Sequence, residues 1–207
     1  DLYNMAMDSV ALNEQGYTPI KPMLDKIAAL TDKKQIIPMA VEMRRNQGIG
    51  TYFSFYVYAD PKNSALNIFQ MGQGGINLGE KEYYLDTDSI TENIRNEYRK
   101  YIGKLFTLAG FSEAEAQQKV ADVMEIETSI AKKSRSATEL RDPEANYHKM
   151  SYADLKKQIP GIDWNAFMIG LGIQPPTELN VEQVEPIQEV ARLINALPVS
   201  KHVSYLE

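Results

Sequence analysis

Residues 71–81, MGQGGINLGEK, hold the residue types from which a phosphate-binding loop is made. Such a loop cradles phosphate oxygens with backbone N–H groups and needs glycines to bring the backbone close. Gly74 and Gly79 have the spacing of the two glycines of a P-loop, but Lys and then Ser or Thr must follow the second one. Here Glu80 follows, and Lys81 leads into Glu82. A carboxylate beside a phosphate has the wrong sign. The dinucleotide fingerprint fails as well, because Asn77 stands where the third glycine after Gly72 and Gly74 belongs. The glycines therefore read as backbone geometry, a tight turn where a side chain would clash.

Other reactive arrangements are sparse. The two histidines, His148 and His202, lie 54 positions apart, and no H-E-x-x-H pair is present to hold zinc on one helix face. Both read as ordinary surface or hydrogen-bonded residues. No G-x-S-x-G elbow occurs. Glu125 and Glu127 are two residues apart, so on a helix they diverge rather than pair. The 12 tyrosines and 9 methionines read as core material. Cysteine is absent, which removes disulfides and thiolate metal sites without identifying a compartment.

The elements that carry these residues are mostly helical. The chain has 207 residues, 43% hydrophobic and 24% charged, which suits one or two folded domains. Its net charge of -6 gives no general basic footprint for nucleic acid. No apolar run reaches the roughly 20 residues of a membrane helix. Residues 1–12 read as an amphipathic helix, broken by residues 14–19. Two more helices follow, over 20–30 and from a cap at Thr31 or Asp32 to about Asn46. The period then changes. Phe53, Phe55 and Val57 alternate with Ser54, Tyr56 and Tyr58, and DPKNS supplies turn chemistry. This predicts a β-hairpin with strands near 51–58 and 65–71. A lone two-stranded ribbon is marginal, so it must pack on something.

Everything later reads as helix. Residues 90–109 carry Ile94, Tyr98, Ile102 and Leu105 at helical spacing. Ser112 and Glu115 form a capping box before a helix to about Lys133. Ser151 and Asp163 cap two shorter helices, and 182–197 forms another with Pro186 in its first turn. The expected fold is mainly α, a multi-helix lobe with one β-hairpin near residues 51–71. The first residue, Asp1, is not a methionine, and both ends read as helices cut short, so the chain is expected to be a fragment of a longer protein.

Three stretches taken together resemble a known family. Residues 59–85, ADPKNSALNIFQMGQGGINLGEKEYYL, and 140–167, LRDPEANYHKMSYADLKKQIPGIDWNAF, resemble the N-terminal half of the neprilysin/endothelin-converting-enzyme family of zinc endopeptidases, and VSYLE resembles its next helix. The family carries D-x-K-N-S, then Q-x-G-L-x-L-P-x-R-x-Y-Y-L, then R-D-P-x-x-x-Y-x-x-M-(S/T)-x-x-x-L before W-x-x-(F/Y). The matching residues are Asp60, Lys62, Asn63, Ser64, Gly75, Leu78, Tyr83, Tyr84 and Leu85, then Arg141, Asp142, Pro143, Tyr147, Met150, Ser151, Leu155, Trp164 and Phe167. Gly79, Lys81 and Ile76 depart from the family's proline, arginine and leucine. The lack of cysteines and glycosylation sequons suits the bacterial branch.

The resemblance implies that zinc, its histidines and the catalytic glutamate belong to a C-terminal lobe outside this chain. It implies no catalytic or metal residue here, and an extracytoplasmic parent that hydrolyses oligopeptides. This part would cap the catalytic cavity and limit substrate size, with its own C-terminal lobe as partner and no activity alone. The family's substrate-gripping N-A-(F/Y) is an extended strand, whereas residues 165–167, NAF, sit in a predicted helix and read as coincidence. The motif residues are expected to be structural. Tyr83, Tyr84 and Leu85 should plug the helical body, and Arg141 should fork into carbonyls or a carboxylate such as Glu127. The other reading is a free-standing helical binding module without a protease.

Overall fold

A computed structural model describes residues 2–207, which leaves Asp1 outside the description. The chain opens with α1 (Leu2–Met7) and α2 (Ser9–Gln15). The expected first helix is thus two short ones. The break falls at Asp8, whose carboxylate accepts from the Ala11 N–H and starts a new helix. Then come α3 (Lys21–Ala28) and α4 (Ile36–Gln47). A short 3₁₀ turn at Lys33–Gln35 precedes α4, and the Asp32–Gln35 capping box sets it. Gly48 ends α4 in the left-handed conformation.

The hairpin is β1 (Phe53–Asp60) and β2 (Asn63–Gln73), paired antiparallel from Phe53↔Gln73 to Asp60↔Asn63. It is not a lone ribbon. Two short strands, β3 (Lys149–Ser151) and β4 (Glu178–Val181), complete a four-stranded sheet in the order β1-β2-β4-β3. β4 runs parallel to β2, with Phe69↔Leu179 and Met71↔Val181, and antiparallel to β3. The all-helical expectation beyond the hairpin is corrected at these two strands. They are short, and the polar Asn180 masks β4. Its amide is satisfied by the Gln70 side chain and the His148 N–H.

The remaining helices are α5 (Glu82–Leu85), α6 (Ser89–Leu108), α7 (Glu113–Ala131), α8 (Tyr152–Gln158), α9 (Trp164–Leu171), α10 (Val184–Ala196) and α11 (Val199–Leu206). The Ser112–Glu115 capping box is formed, as are the caps at Ser151 and Asp163. The fold is mainly α. Its larger core packs α4, α9, α10 and α11 around the sheet, with Trp164, Phe167, Met71 and Leu179 buried inside. A smaller core joins α5, α6 and α7 through Tyr84, Ile102, Phe106 and Val123. α7 serves both: Ile126 and Ile130 face the first, Val123 and Met124 the second.

Candidate functional site

The motif residues assemble into three places. The first is the hairpin tip. Pro61 and Lys62 turn the chain, and Asp60 is buried below them. Asp60 Oδ1 accepts from the Lys62 backbone N–H and from the Tyr147 hydroxyl, both at 2.9 Å. Its other oxygen faces Lys149 Nζ at 3.5 Å. These donors, the Lys62 N–H foremost, hold the carboxyl below its ordinary range. Lys62 lies over the Tyr147 ring, 4.9 Å from its centre, and its ammonium reaches Glu144 at 2.7 Å. Tyr147 is delivered by the RDPEANY loop. There Asp142 Oδ1 accepts from the N–H groups of Glu144 and Ala145, with Pro143 between. Asp60, Lys62, Asp142, Pro143 and Tyr147 are thus brought together across some 80 positions of sequence. Asn63 and Ser64 begin β2 and are exposed.

Arg141 does not behave as expected. It is exposed, and its side chain makes no hydrogen bond or ion pair among the described residues. The arginine that ties this loop down is Arg135. Its guanidinium donates to the Ala145 carbonyl and to Asn146 Oδ1 at 3.0 Å. Its backbone N–H donates to Gln73 Oε1 at 2.8 Å. The expected Arg141–Glu127 contact is absent because Glu127 is committed elsewhere.

Glu127 is the centre of the second place. It is fully buried on α7. Asn77 donates to Oε1 at 2.7 Å, Tyr84 to Oε2 at 2.8 Å, and the Tyr98 hydroxyl lies 3.0 Å from both oxygens. Burial raises the carboxyl's pKa, and the three donors pull it back. The Tyr84 hydroxyl also accepts from the Leu78 N–H at 3.0 Å. The glycine loop, α5, α6 and α7 therefore meet on one carboxylate. The loop itself is pressed on the start of β1. A Cβ on Gly75, where φ is +76°, would fall 2.6 Å from the Tyr52 carbonyl oxygen. Tyr205 donates to the Gly75 carbonyl at 3.1 Å. Tyr83 and Leu85 pack beside Tyr84 against the smaller core. This is a buried joint with its polar groups paired internally.

The third place is the core under the sheet. Trp164 donates from Nε1 to the Ile159 carbonyl at 2.9 Å, and its ring meets Phe53 and Phe167. The NAF stretch is helical in α9, with Phe167 buried. Leu155 is buried nearby.

Neither histidine fits a metal. His202 is not a surface residue: it is buried in α11, with Nδ1 at 2.8 Å from the Tyr52 hydroxyl and Nε2 at 3.2 Å from the Leu193 carbonyl. One nitrogen accepts and the other donates, so a neutral ring is satisfied. His148 directs Nδ1 at the carbonyls of Val181 and Glu182, which makes that nitrogen a donor rather than a ligand. Among the described residues no three His, Asp or Glu side chains converge as a metal group.

The N-terminal family model of peptidase family M13 matches residues 1–207. The chain belongs to peptidase family M13. Endothelin-converting enzyme 1 of Rattus norvegicus is 32% identical over 206 residues, covering 94% of this chain and 27% of that protein. Neprilysin-11 of Caenorhabditis elegans is 27% identical, covering 81% and 22%. The zinc metalloprotease Zmp1 of Mycobacterium tuberculosis, in complex with an inhibitor, has the same fold at a TM-score of 0.88 and 24% identity, over 96% of this chain and 30% of that one. This M13 chain therefore matches only 22–30% of the length of these relatives.

Sequence reasoning missed the joint itself. Glu127 lies four residues after Val123 and three before Ile130, both buried on α7. A carboxylate on a buried helical stripe needs donors, and the tyrosines of α5 and α6 were there to supply them. Arg135 gave no such signal: its partners are Gln73 of β2, Ala145 and Asn146 of the following loop, and Glu185 of α10 at 4.0 Å, none of them at a helical or strand spacing from it.

Proposed function

We propose that this M13 chain is part of the non-catalytic, helical lobe of a neprilysin-like zinc metalloendopeptidase. In this reading it caps the catalytic lobe and restricts substrates to oligopeptides. Zinc, its ligands and the catalytic glutamate lie on another part of the parent polypeptide, and the parent works outside the cytoplasm. The observation that carries the reading is the match of the family's N-terminal model to residues 1–207. The endothelin-converting enzymes support it, since about this length of chain is only 27% of theirs. Among the described residues no helix is long and apolar enough to cross a membrane, so any anchor in this reading belongs to another segment. The Asp60–Tyr147 strut and the Glu127 joint suit a scaffold. Each pairs its charged and polar groups with one another.

The test uses the full-length parent. It should cleave quenched oligopeptides in a chelator-sensitive way and leave a folded protein of the same cleavable sequence intact. Equal cleavage of both would refute the size filter. A parent without H-E-x-x-H and without peptide cleavage would establish the free-standing binding module instead.

A further inference from the structure

β1 is the outermost strand of the sheet, so one of its edges pairs with no strand among the described residues. Which groups face that edge follows from β2. The Met71 carbonyl accepts from the Glu182 N–H at 2.7 Å, and the Gln73 N–H donates to Gln183 Oε1 at 2.8 Å. Both groups thus point away from β1. Residues opposite each other in an antiparallel pair exchange both of their bonds or neither. Phe55 lies opposite Met71 and Phe53 opposite Gln73, so both turn N–H and C=O outward, and Val57 follows by the two-residue period. Ser54, Tyr56 and Tyr58 carry the bonds to β2. Among the described residues no hydrogen bond from beyond the hairpin reaches the main chain of Phe55 or Val57. The edge is also unguarded. Residues 53–59, FSFYVYA, include no lysine, no proline and no charge, the devices that keep a strand edge from pairing. Val57 is 61% exposed.

We propose that this edge takes up the C-terminal segment of an extended oligopeptide, which adds a strand antiparallel to β1. The inference rests on the reading of the parent as an oligopeptidase, which makes such peptides its guests. The open N–H and C=O groups of Phe55 and Val57 call for main chain, and an extended segment presents it at the matching rise of ~3.4 Å. Four bonds at these two residues hold about five guest residues. The guest's side chains alternate between two walls, Phe55 and Val57 on one face, Tyr56 and Tyr58 on the other. All four walls are apolar or aromatic, which suits an uncharged stretch of guest. Its direction is set at the start of β1. There a cavity of about 430 Å³ opens between Arg44, Ile49, Thr51, Phe55 and Gly74. The Arg44 guanidinium lies 5.9 Å from the centre of the Phe55 ring and donates to the Gly48 carbonyl at 3.0 Å. It has no carboxylate partner among the described residues. Glu207 also lines the cavity, but its carboxylate is buried and paired with Lys119. An antiparallel guest delivers its C-terminus to this cavity, where its carboxylate meets Arg44. A parallel guest would bring an ammonium against the guanidinium. A second copy pairing β1 with β1 would set two Arg44 side chains along one seam with no anion between them.

The probe is a fluorescent peptide of about seven alternating valines and threonines, with a free C-terminus and a central photo-crosslinking phenylalanine derivative. Anisotropy reads its binding to the full-length parent, and peptide mapping after irradiation reads the contact. The crosslink should fall within residues 53–58. Val57→Pro removes an outward N–H and spares the β1–β2 ladder, since a strand edge tolerates proline. It should weaken binding about tenfold or more with melting unchanged. Amidating the probe's C-terminus should weaken binding to the parent several-fold and make no difference to Arg44→Gln. N-methylating the probe at the alternate residues that face β1 should abolish capture, which keeps the test decisive if Val57→Pro fails to fold. A crosslink only elsewhere, binding that survives N-methylation, or equal binding of acid and amide would overturn the proposal. So would a parent dimer that Val57→Pro turns into monomers. Chelator-sensitive cleavage of a short quenched peptide is scored on the same preparations. Capture without cleavage refutes the peptidase reading alone, and cleavage without capture refutes this proposal alone.

Discussion

Arg135 and Arg141 show that a motif position and a structural position need not coincide. Arg141 belongs to the RDP motif and is exposed without a partner among the described residues. Arg135 precedes the motif and holds the loop to the sheet. Removing Arg135 leaves the Ala145 carbonyl short of a donor and Asn146 Oδ1 with Gln183 Nε2 alone, so Arg135→Ala should cost about 1 kcal/mol in denaturant melts. Arg141→Ala should fall within about 0.5 kcal/mol of the parent sequence. The reverse order would show that the guanidinium at 141 is engaged. His202 makes a second prediction at this scale. Burial lowers its pKa from an ordinary 6.5. A lowered base prefers the fold when neutral, so its contribution is full above that ordinary value and is lost as pH falls below it. Asp60, with its lowered carboxyl, loses its contribution only at more acid pH. Glu127 runs the other way, contributing most when protonated and losing that as pH rises through its raised pKa. Between about pH 7 and pH 5, where an imidazole titrates, the chain should lose stability on acidification, and His202→Gln should flatten the loss. An unchanged slope in the variant would rule out His202 as its source.

At the scale of elements the glycine loop separates strain from collision. Gly75 and Gly79 both have positive φ, +76° and +85°. A side chain at Gly79 would meet nothing within 4 Å, whereas one at Gly75 would strike the Tyr52 carbonyl. Gly79→Ala should therefore cost only the left-handed penalty, about 1–2 kcal/mol. Gly75→Ala should cost at least about 1 kcal/mol more, because the β1 backbone cannot swing aside as a side chain does. Equal melts for the two would mean that the loop relaxes away from β1. These elements also show what the sequence could disclose. The hairpin was legible because six alternating residues beside turn chemistry outvote chance, and the caps at Ser112, Ser151 and Asp163 because each is a local bond between near neighbours. β3 and β4 were not. Three or four residues carry no period, and what makes them strands is their pairing with each other and with β2. The Asp60–Tyr147 cluster was hidden for the same reason, since a contact across tens of residues has no signature in one chain, whereas Glu127 on the buried stripe of α7 signalled a need for donors without saying which.

For the molecule as a whole, α7 is the beam that both cores share, and the two ends of the chain hang on it very differently. α11 packs against α7 and sinks His202, Ser204 and Leu206. Ser204 donates to the buried Asp122 of α7 at 2.9 Å, and Lys201 and Lys119 pair with acidic groups across the same seam. Val203, Tyr205 and Leu206, near the end of a helix that reads in the sequence as cut short, all pack on the larger core. At the other end Leu2 and Met5 are 82% and 70% exposed, and no described residue of α1 or α2 is buried. Helices of 6 and 7 residues are far below the roughly 12–15 at which an isolated helix becomes even marginal in water. Nothing buried makes up the deficit here. Native-state hydrogen exchange on this 207-residue chain should therefore find α11 protected close to the global unfolding free energy and α1–α2 exchanging as a local opening of near-zero cost. The exposed apolar side chains should also make the chain associate as its concentration rises, which light scattering reads directly. Strong protection of α1–α2 in a strict monomer would mean that these helices fold back onto the chain's own surface, leaving no apolar end to drive association.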